Sequence, residues 1–310
     1  MKPSIKIIYT VVFSITLFVL VDFVMGSVMA SFYSHSKYGI FRRQIYCLSE
    51  SNEDILVLGS SRAAHHYVPS IFEDSLNMSC YNAGSDGMCI YYHYAVLSSY
   101  IASGRTPKLV IYDINDFDLQ ISNEATFTLD AALDRLAPHY GEYVEIDSLF
   151  ALKGWNERFK MNIHSYRYNS KLVQLIKCNF IPSKEDNGYE AVYGSLPDSS
   201  ELHDICFSEG ILEEGKVEYF NKMLQKLRQY NVPIVLVYSP IYEKGRSSRI
   251  DKICSIAKIY NVPILDFSNQ QELMYPSFFR DEMHLNDSGA HYFTSLLQSR
   301  IKSIVNPLKN

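Results

Sequence analysis

Two short segments at opposite ends of the sequence carry the residue types of nucleophilic catalysis. Gly59-Ser60-Ser61-Arg62 follows an apolar run, and Asp281-Glu282-Met283-His284 comes just before the last helical pattern. A serine between a buried strand and a helix lies at the exposed edge of a sheet, where backbone N–H groups point toward the same place. An aspartate three residues before a histidine can accept from the imidazole Nδ1, which leaves Nε2 free to act as a general base. Together the segments predict acyl transfer by a serine nucleophile.

Each motif alone also fits a structural role, because serine-rich turns often follow strands. Asp281 could face solvent while His284 packs. His65 and His66 follow the serines by one helical turn and could line a pocket, although we expect surface positions for them. Arg62 could bind an anionic group, but we favour a surface salt bridge.

The elements that position these motifs are visible as alternating patterns. Short apolar runs predict strands, strong at 54–59, 108–113 and 233–238 and weaker at 78–83 and 263–267. Helical patterns lie at 69–76, 88–102, 213–230, 249–260 and 288–305. Alternating strands and helices predict parallel βαβ units in a three-layer α/β/α sandwich.

The stretch from about 117 to 210 breaks this alternation. It has no clear strand run and mixes aromatic and polar residues with glycine and proline, so we expect a helical and looped insertion. Ligands of open α/β sheets bind beyond the carboxyl ends of the strands. The insertion is therefore a candidate substrate lid, and it could equally be structural.

Together the two motifs resemble those of the SGNH (GDSL-like) hydrolase superfamily, and the Gly-Ser-Ser-Arg turn resembles its envelope branch. The resemblance covers roughly residues 54 to 305 and implies a flavodoxin-like α/β fold with a parallel sheet. It implies Ser61 as nucleophile, because Ser61 takes the third place of the turn, with Asp281 and His284 completing the triad. Ser60 stands where the family usually has an aspartate.

The resemblance also implies an oxyanion hole made by Ser61, Gly87 and Asn115. Gly87 follows Asn82 at the family's five-residue spacing, and a glycine lets the backbone approach a substrate closely. Asn115 lies in Asp113-Ile114-Asn115-Asp116, which lacks the glycine of the family pattern. Asn115 could therefore donate to an oxyanion or serve only its own loop.

The amino-terminal segment is apolar from Ile7 to Ala30 except for Asp22. About 20 such residues, at 1.5 Å each, cross the core of a bilayer. A signal peptide cleaved after Ala30 is the alternative, but the apolar stretch exceeds the roughly 7–15 residues of a signal core. We predict an uncleaved single-pass anchor over 1–30, a connector over 31–53 and a hydrolase domain over 54–310 on the periplasmic side.

Composition excludes some partners. The net charge is -5 without a long run of one sign, which argues against nucleic-acid binding. The six cysteines include no Cys-x-x-Cys pair, so we expect neither a metal nor another cofactor, while disulfides and free thiols both remain open.

These expectations combine into a membrane-anchored serine esterase or O-acyltransferase that acts on an O-acylated envelope glycan. A lysophospholipase or thioesterase is an alternative with the same triad. A non-catalytic envelope protein that keeps the fold for assembly or binding is the alternative of another class. The sequence leaves the oligomeric state open.

Overall fold

A computed structural model describes residues 3–205 and 210–305. Its contacts group the chain into two compact units, Met1–Arg42 with Leu133–Ser183 and Arg43–Ala132 with Lys184–Asn310. We call the first the helical unit and the second the sheet unit. The predicted insertion therefore contributes to both units, and its part from 133 to 183 belongs to the helical unit.

The sheet unit contains seven strands in its described residues, numbered in chain order: β1 (Ile55–Gly59), β2 (Cys80–Asn82), β3 (Leu109–Asp113), β4 (Ile234–Tyr238), β5 (Ile264–Asp266), β6 (Phe279–Asp281) and β7 (His284–Leu285). The α-helices in the described residues are α1 (Pro3–Ser34), α2 (Gly39–Ile45), α3 (Ser61–His66), α4 (Pro69–Leu76), α5 (Ile90–Ala102), α6 (Leu129–Leu136), α7 (Val144–Leu152), α8 (Trp155–Lys160), α9 (Leu172–Phe180), α10 (Glu214–Gln229), α11 (Asp251–Tyr260) and α12 (Asp287–Val305).

Five strands form one parallel sheet in the order β2-β1-β3-β4-β5. This is the strand order of flavodoxin-like folds. The predicted α/β fold with a parallel sheet is confirmed, and the five strands fall within the five predicted apolar runs. A separate antiparallel pair, β6 with β7, lies outside the sheet.

The sheet is covered by helices on both faces, which explains why its central strands are continuous apolar runs. Alternate residues such as Val57 and Ile111 pack in one core cluster with Phe72 of α4 and Phe293 of α12. On the other face, Tyr112 of β3 contacts the ring of Phe220 of α10, with ring centroids 6.2 Å apart. The layers are thus α3, α4 and α12, then the sheet, then α5 and α10.

The helical unit is dominated by α1, which has 32 residues and a mean hydropathy of 2.4 in its most apolar window. By length and composition it is the one helix within residues 3–205 and 210–305 that could cross a bilayer, a test that a signal sequence also passes. Asp22 is its acidic residue. Its carboxylate accepts hydrogen bonds from the backbone N–H groups of His164 (2.8 Å) and Ser165 (2.9 Å), so an acid that looks misplaced in an apolar helix holds a turn of the insertion.

Candidate active site

The turn Gly59-Ser60-Ser61 carries the predicted nucleophile, Ser61, and we call it the nucleophile turn. It is built by Gly59 at the end of β1. Gly59 has φ +140, and a Cβ at this position would lie 2.8 Å from the Asp113 carbonyl oxygen of the neighbouring strand. Only glycine fits that backbone, so the chain turns sharply and α3 begins at Ser61. The first helical N–H groups have no intrahelical partners and point beyond the strand ends.

Ser61, His284 and Asp281 are joined by two hydrogen bonds. The Ser61 hydroxyl lies 2.8 Å from His284 Nε2, and His284 Nδ1 lies 2.9 Å from Asp281 Oδ1. The side chain of His284 is 28% exposed and that of Asp281 is 52% exposed, so this edge of the sheet is open to solvent. The structure thus brings Ser61 next to His284, which lies 223 positions later in the chain. The distance between the Ser61 hydroxyl and His284 Nε2 is within the reach of a general base.

The pair β6–β7 fixes the geometry between Asp281 and His284. Asp281 Oδ1 also accepts from the backbone N–H groups of Met283 and His284, both at 3.0 Å. These local bonds orient the carboxylate before it meets the imidazole. The Asp-x-x-His spacing thus forms a compact turn that presents His284 to the serine.

His66 connects the nucleophile helix to this turn. It is fully buried, and its Nε2 accepts a hydrogen bond of 2.9 Å from the Leu285 N–H, next to His284. Burial, reinforced by the nearby His284 and Arg62, lowers the pKa of His66 well below its usual range, so the ring stays neutral as an acceptor must. The expected surface position of His66 was therefore wrong, because the packing of α12 and the β6–β7 pair over α3 could not be seen in the sequence.

Arg62 is likewise buried rather than on the surface. Its Nη2 donates to the Ile114 carbonyl at 2.6 Å, and its Nε lies 3.7 Å from the Asp113 carboxylate. The guanidinium also stacks 4.9 Å from the centre of the Tyr238 ring. The expected surface salt bridge was wrong, and Arg62 instead ties the nucleophile turn to the ends of β3 and β4.

Asn115 lies beside the nucleophile turn. Its side-chain amide donates to the Ser60 hydroxyl at 3.3 Å, and its Oδ1 accepts from the Phe117 N–H at 2.7 Å. Asp118 accepts from the Asn115 N–H at 2.8 Å, and burial raises the pKa of Asp118 to about 7. The buried ammonium of Lys216, from α10, donates to the carbonyls of Phe117 and Gln120 and holds the same loop.

The loop after β2 is pinned against the nucleophile helix. Asn82 donates to the Ala63 carbonyl at 2.7 Å and accepts from the Gly84 N–H at 2.9 Å. A Cβ on Gly84 would lie 2.3 Å from the backbone nitrogen of Ala64, so glycine is required for this contact. Sequence reasoning used Asn82 only for its spacing. An asparagine after a strand and shortly before a glycine was the available signal for this clamp.

Gly87 follows in the same loop with φ +71, and a Cβ there would lie 2.8 Å from Thr126 Cγ2. Two residues earlier, the Ser85 N–H donates to the Gly59 carbonyl at 2.9 Å, which places the loop at the end of β1. Within residues 3–205 and 210–305 the Gly87 N–H donates to no protein group.

His65 forms a cluster with Asp86 and Glu190 whose ligand atoms all lie within 4.8 Å of one another. Its Nδ1 lies 2.8 Å from the Glu190 carbonyl oxygen, and its Nε2 lies 3.4 Å from the Asp86 carboxylate. Burial opposes protonation, but Asp86 and Glu190 raise the pKa of His65 above its usual value. Because the Glu190 carboxylate is paired with Arg43 at 2.9 Å, the group is accounted for by protein contacts and does not indicate a metal site.

Fold and site together define a class of protein, a flavodoxin-like α/β domain with a Ser–His–Asp constellation at the carboxyl edge of its parallel sheet. No family model matches the chain, and no curated protein matches it. The chain does have neighbours among solved structures.

Three of these neighbours are bacterial proteins. One is a protein assigned to the G-D-S-L lipolytic family from Desulfitobacterium hafniense (10% identity, 80% of this chain and 98% of that one, TM-score 0.39). Another is assigned as an acylhydrolase from Bacteroides fragilis (10% identity, 86% and 97%, TM-score 0.41). A third is an acetylxylan esterase from Geobacillus stearothermophilus (10% identity, 81% and 94%, TM-score 0.41). At this distance, what the chain does must be read from its own residues.

Proposed function

We propose that the chain is a membrane-anchored serine ester hydrolase or O-acyltransferase of the SGNH type. The observation that carries the proposal is the pair of hydrogen bonds from Ser61 Oγ to His284 Nε2 and from His284 Nδ1 to Asp281. A serine, a base and a group that orients the base are the parts that covalent acyl transfer needs.

In the first half-reaction, His284 Nε2 takes the proton of the Ser61 hydroxyl as Oγ attacks the ester carbonyl. Asp281 holds the imidazole in the correct tautomer and stabilises the imidazolium. The tetrahedral intermediate collapses when His284 gives the proton to the leaving alkoxide. An alcohol departs and an acyl group stays on Ser61.

The negative oxygen of the intermediate needs donors that are already in place. Three candidates surround the nucleophile turn, namely the Ser61 N–H at the start of α3, the Gly87 N–H and the Asn115 side-chain amide. The contact of Asn115 with Ser60 and the unused N–H of Gly87 support this assignment.

In the second half-reaction, an acceptor hydroxyl gives its proton to His284 and attacks the acyl-enzyme. With water the enzyme is an esterase, and with a sugar hydroxyl it is a transferase. The solvent exposure of His284 and Asp281 supports access for either acceptor. An O-acylated glycan of the cell envelope is the proposed substrate, since α1 would anchor the catalytic residues at a membrane, with the sheet unit on the periplasmic side.

A fluorophosphonate probe tests the proposal on the full-length protein in detergent. We expect labelling of the wild type and no labelling of Ser61→Ala. In parallel, hydrolysis of a simple acetyl ester should fall by about 10³ or more in both Ser61→Ala and His284→Ala.

Ser60→Ala is the matched control, because it removes the neighbouring hydroxyl and leaves the proposed nucleophile in place. It should still be labelled. If labelling were lost in Ser60→Ala but kept in Ser61→Ala, the nucleophile would be Ser60 and the assignment of Ser61 would be wrong. If the folded wild type were not labelled, the result would favour the non-catalytic alternative.

A further inference from the structure

Two helices of the helical unit present large apolar side chains to solvent. On α8, Trp155 is 74% exposed and Phe159 is 62% exposed. On α9 the exposed apolar residues are Leu172, Val173, Ile176 and Phe180. We call these six side chains the α8 face and the α9 face.

The α9 face is a continuous stripe rather than scattered residues. At 3.6 residues per turn its four members fall within an arc of about 100°. The other side of the helix packs inward through Leu175 and Cys178, which are 1% and 2% exposed. A helix with one buried side normally turns polar residues outward, and a contiguous exposed apolar surface marks an interaction site.

The exposed charged residues beside these faces are mostly basic. Lys153, Arg158 and Lys160 lie on or next to α8 and Lys177 lies on α9, and Glu157, which pairs with Lys160 at 2.9 Å, is the one acidic residue between 153 and 183. Lys171 is buried against Asp134 and Arg167 donates to backbone carbonyls, so neither belongs to this basic surface. Apolar and aromatic residues on one side with lysine and arginine around them are the pattern of helices that lie in the interface of anionic membranes. Tryptophan, as at 155, is enriched at that depth.

The α9 face lies against the apolar surface of α1, and the turn after α8 is attached to the same helix. The ring centroid of Phe180, at the end of α9, lies 6.5 Å from that of Phe32 of α1, and Asn179 Nδ2 donates to the Phe32 carbonyl at 2.8 Å. The turn that follows α8 is held by Asp22 of α1 through the bonds to His164 and Ser165. Both helices are thus attached to the carboxyl-terminal half of α1, between Asp22 and Phe32.

We propose that the α8 and α9 faces bind the surface of the same bilayer that α1 crosses, with their apolar side chains inserted at the boundary between headgroups and acyl chains. The inference rests on the proposed anchoring by α1 and adds a second, peripheral contact. Asp22 then lies near the interface, where its carboxylate caps the turn of the insertion instead of facing lipid. The occupant is an anionic lipid surface, because basic residues accompany both faces.

Trp155 is the single tryptophan of the chain and reports directly on its own depth. The experiment uses the full-length protein in vesicles of phosphatidylcholine and phosphatidylglycerol that carry bromine on their acyl chains. We expect Trp155 to lose roughly half of its fluorescence when the bromine atoms lie about 5–10 Å below the headgroup boundary. We expect less quenching when phosphatidylglycerol is omitted.

The α9 face is tested with Phe180→Trp in a Trp155→Phe background, which should be quenched in the same way. The matched control is Ile259→Trp in that background, because Ile259 is 76% exposed on α11 of the sheet unit. It should not be quenched. Equal behaviour of the three tryptophans would overturn the inference.

Co-flotation with the vesicles separates this inference from the proposed function. If the chain floats while Trp155 and the tryptophan of Phe180→Trp stay unquenched, the anchor is present and the peripheral contact is absent. A chain that does not float contradicts both. Ester hydrolysis measured on the same samples reports on the triad independently of either result.

Discussion

The side-chain amide of Asn115 is held next to the turn that carries Ser60 and Ser61. It lies within 3.3 Å of the Ser60 hydroxyl, and its loop is held by Asp118 and by the ammonium of Lys216. A donor fixed in this way needs no reorganisation when charge develops on a substrate oxygen, which is the condition for effective oxyanion stabilisation.

Replacing Asn115 by alanine should lower kcat by about 10²–10³, with a smaller change in KM, because the lost donor acts mainly in the transition state. Steady-state hydrolysis of an acetyl ester measures both constants. Labelling of Ser61 by a fluorophosphonate should persist at a lower rate. Asn269→Ala, at an exposed position, serves as the control. A folded Asn115→Ala protein with unchanged kcat would remove Asn115 from the oxyanion hole.

The three residues that the structure joins by hydrogen bonds lie in segments with a short-range sequence pattern. Ser61 follows a five-residue apolar run, and Asp281 with His284 form a local turn, so short-range pattern was enough to find them. Arg62 and His66 were misjudged because their partners lie far away in the chain. His66 meets Leu285, which is 219 positions later, and no periodicity of a six-residue helix could reveal that.

Helix α3 does more than carry Ser61, because it joins the surrounding elements to one another. His66 binds β7, Asn82 at the end of β2 donates to the Ala63 carbonyl, and Arg62 binds the ends of β3 and β4. Four strands around the site, β2, β3, β4 and β7, are therefore attached to one helix of six residues. The stability of the site should depend on this helix more than on the exposed triad itself.

Arg62→Ala should destabilise the sheet unit by about 3–5 kcal/mol, because it leaves the Asp113 carboxylate buried without its cation. Thermal unfolding in detergent, followed by circular dichroism, measures the effect. The stability of Arg62→Lys should lie between those of the wild type and Arg62→Ala, since lysine keeps the charge but loses the planar contact with Tyr238. In contrast, Arg246→Ala, which breaks an exposed pair with Asp251, should cost less than about 1 kcal/mol. Equal losses in the two alanine variants would show that the buried network is not structural.

Burial of an element and the distance of its partners along the chain decide whether a sequence pattern reveals it. The strands β1, β3 and β4 are covered on both faces, so their apolar runs are unmistakable. The helices of the insertion do not show such a clear pattern. On α9, for example, apolar residues lie on the exposed side as well as on the buried side, so the usual alternation of polar and apolar faces is lost. Asp22 appeared to be an obstacle to a membrane helix, and its partners lie about 142 positions later in the chain.

For the molecule as a whole, buried histidines and a buried aspartate make the stability of the fold depend on pH in opposite senses. Burial lowers the pKa of His93 to about 3 and keeps His66 neutral as well. Burial raises the pKa of Asp118 to about 7. Below about pH 6.5, His93 and His66 bind protons in the unfolded chain but stay neutral in the folded chain. The folded state therefore loses stability as the pH falls. Asp118 acts in the opposite sense, because the folded state binds its proton more tightly and loses stability as the pH rises toward 7.

The contribution of His93 can be isolated by substitution, because it lies on α5 outside the catalytic residues and contacts the ring of Tyr112. His93→Phe removes the group that must stay neutral in the fold. Its stability relative to the wild type should therefore rise as the pH falls from 7.5 to 5.5, by about 1.4 kcal/mol for each pH unit below 6.5. Midpoints of thermal unfolding at several pH values measure the difference, with exposed His203→Phe as the control. A pH-independent difference between His93→Phe and the wild type would mean that His93 binds its proton as readily in the folded protein as in the unfolded chain.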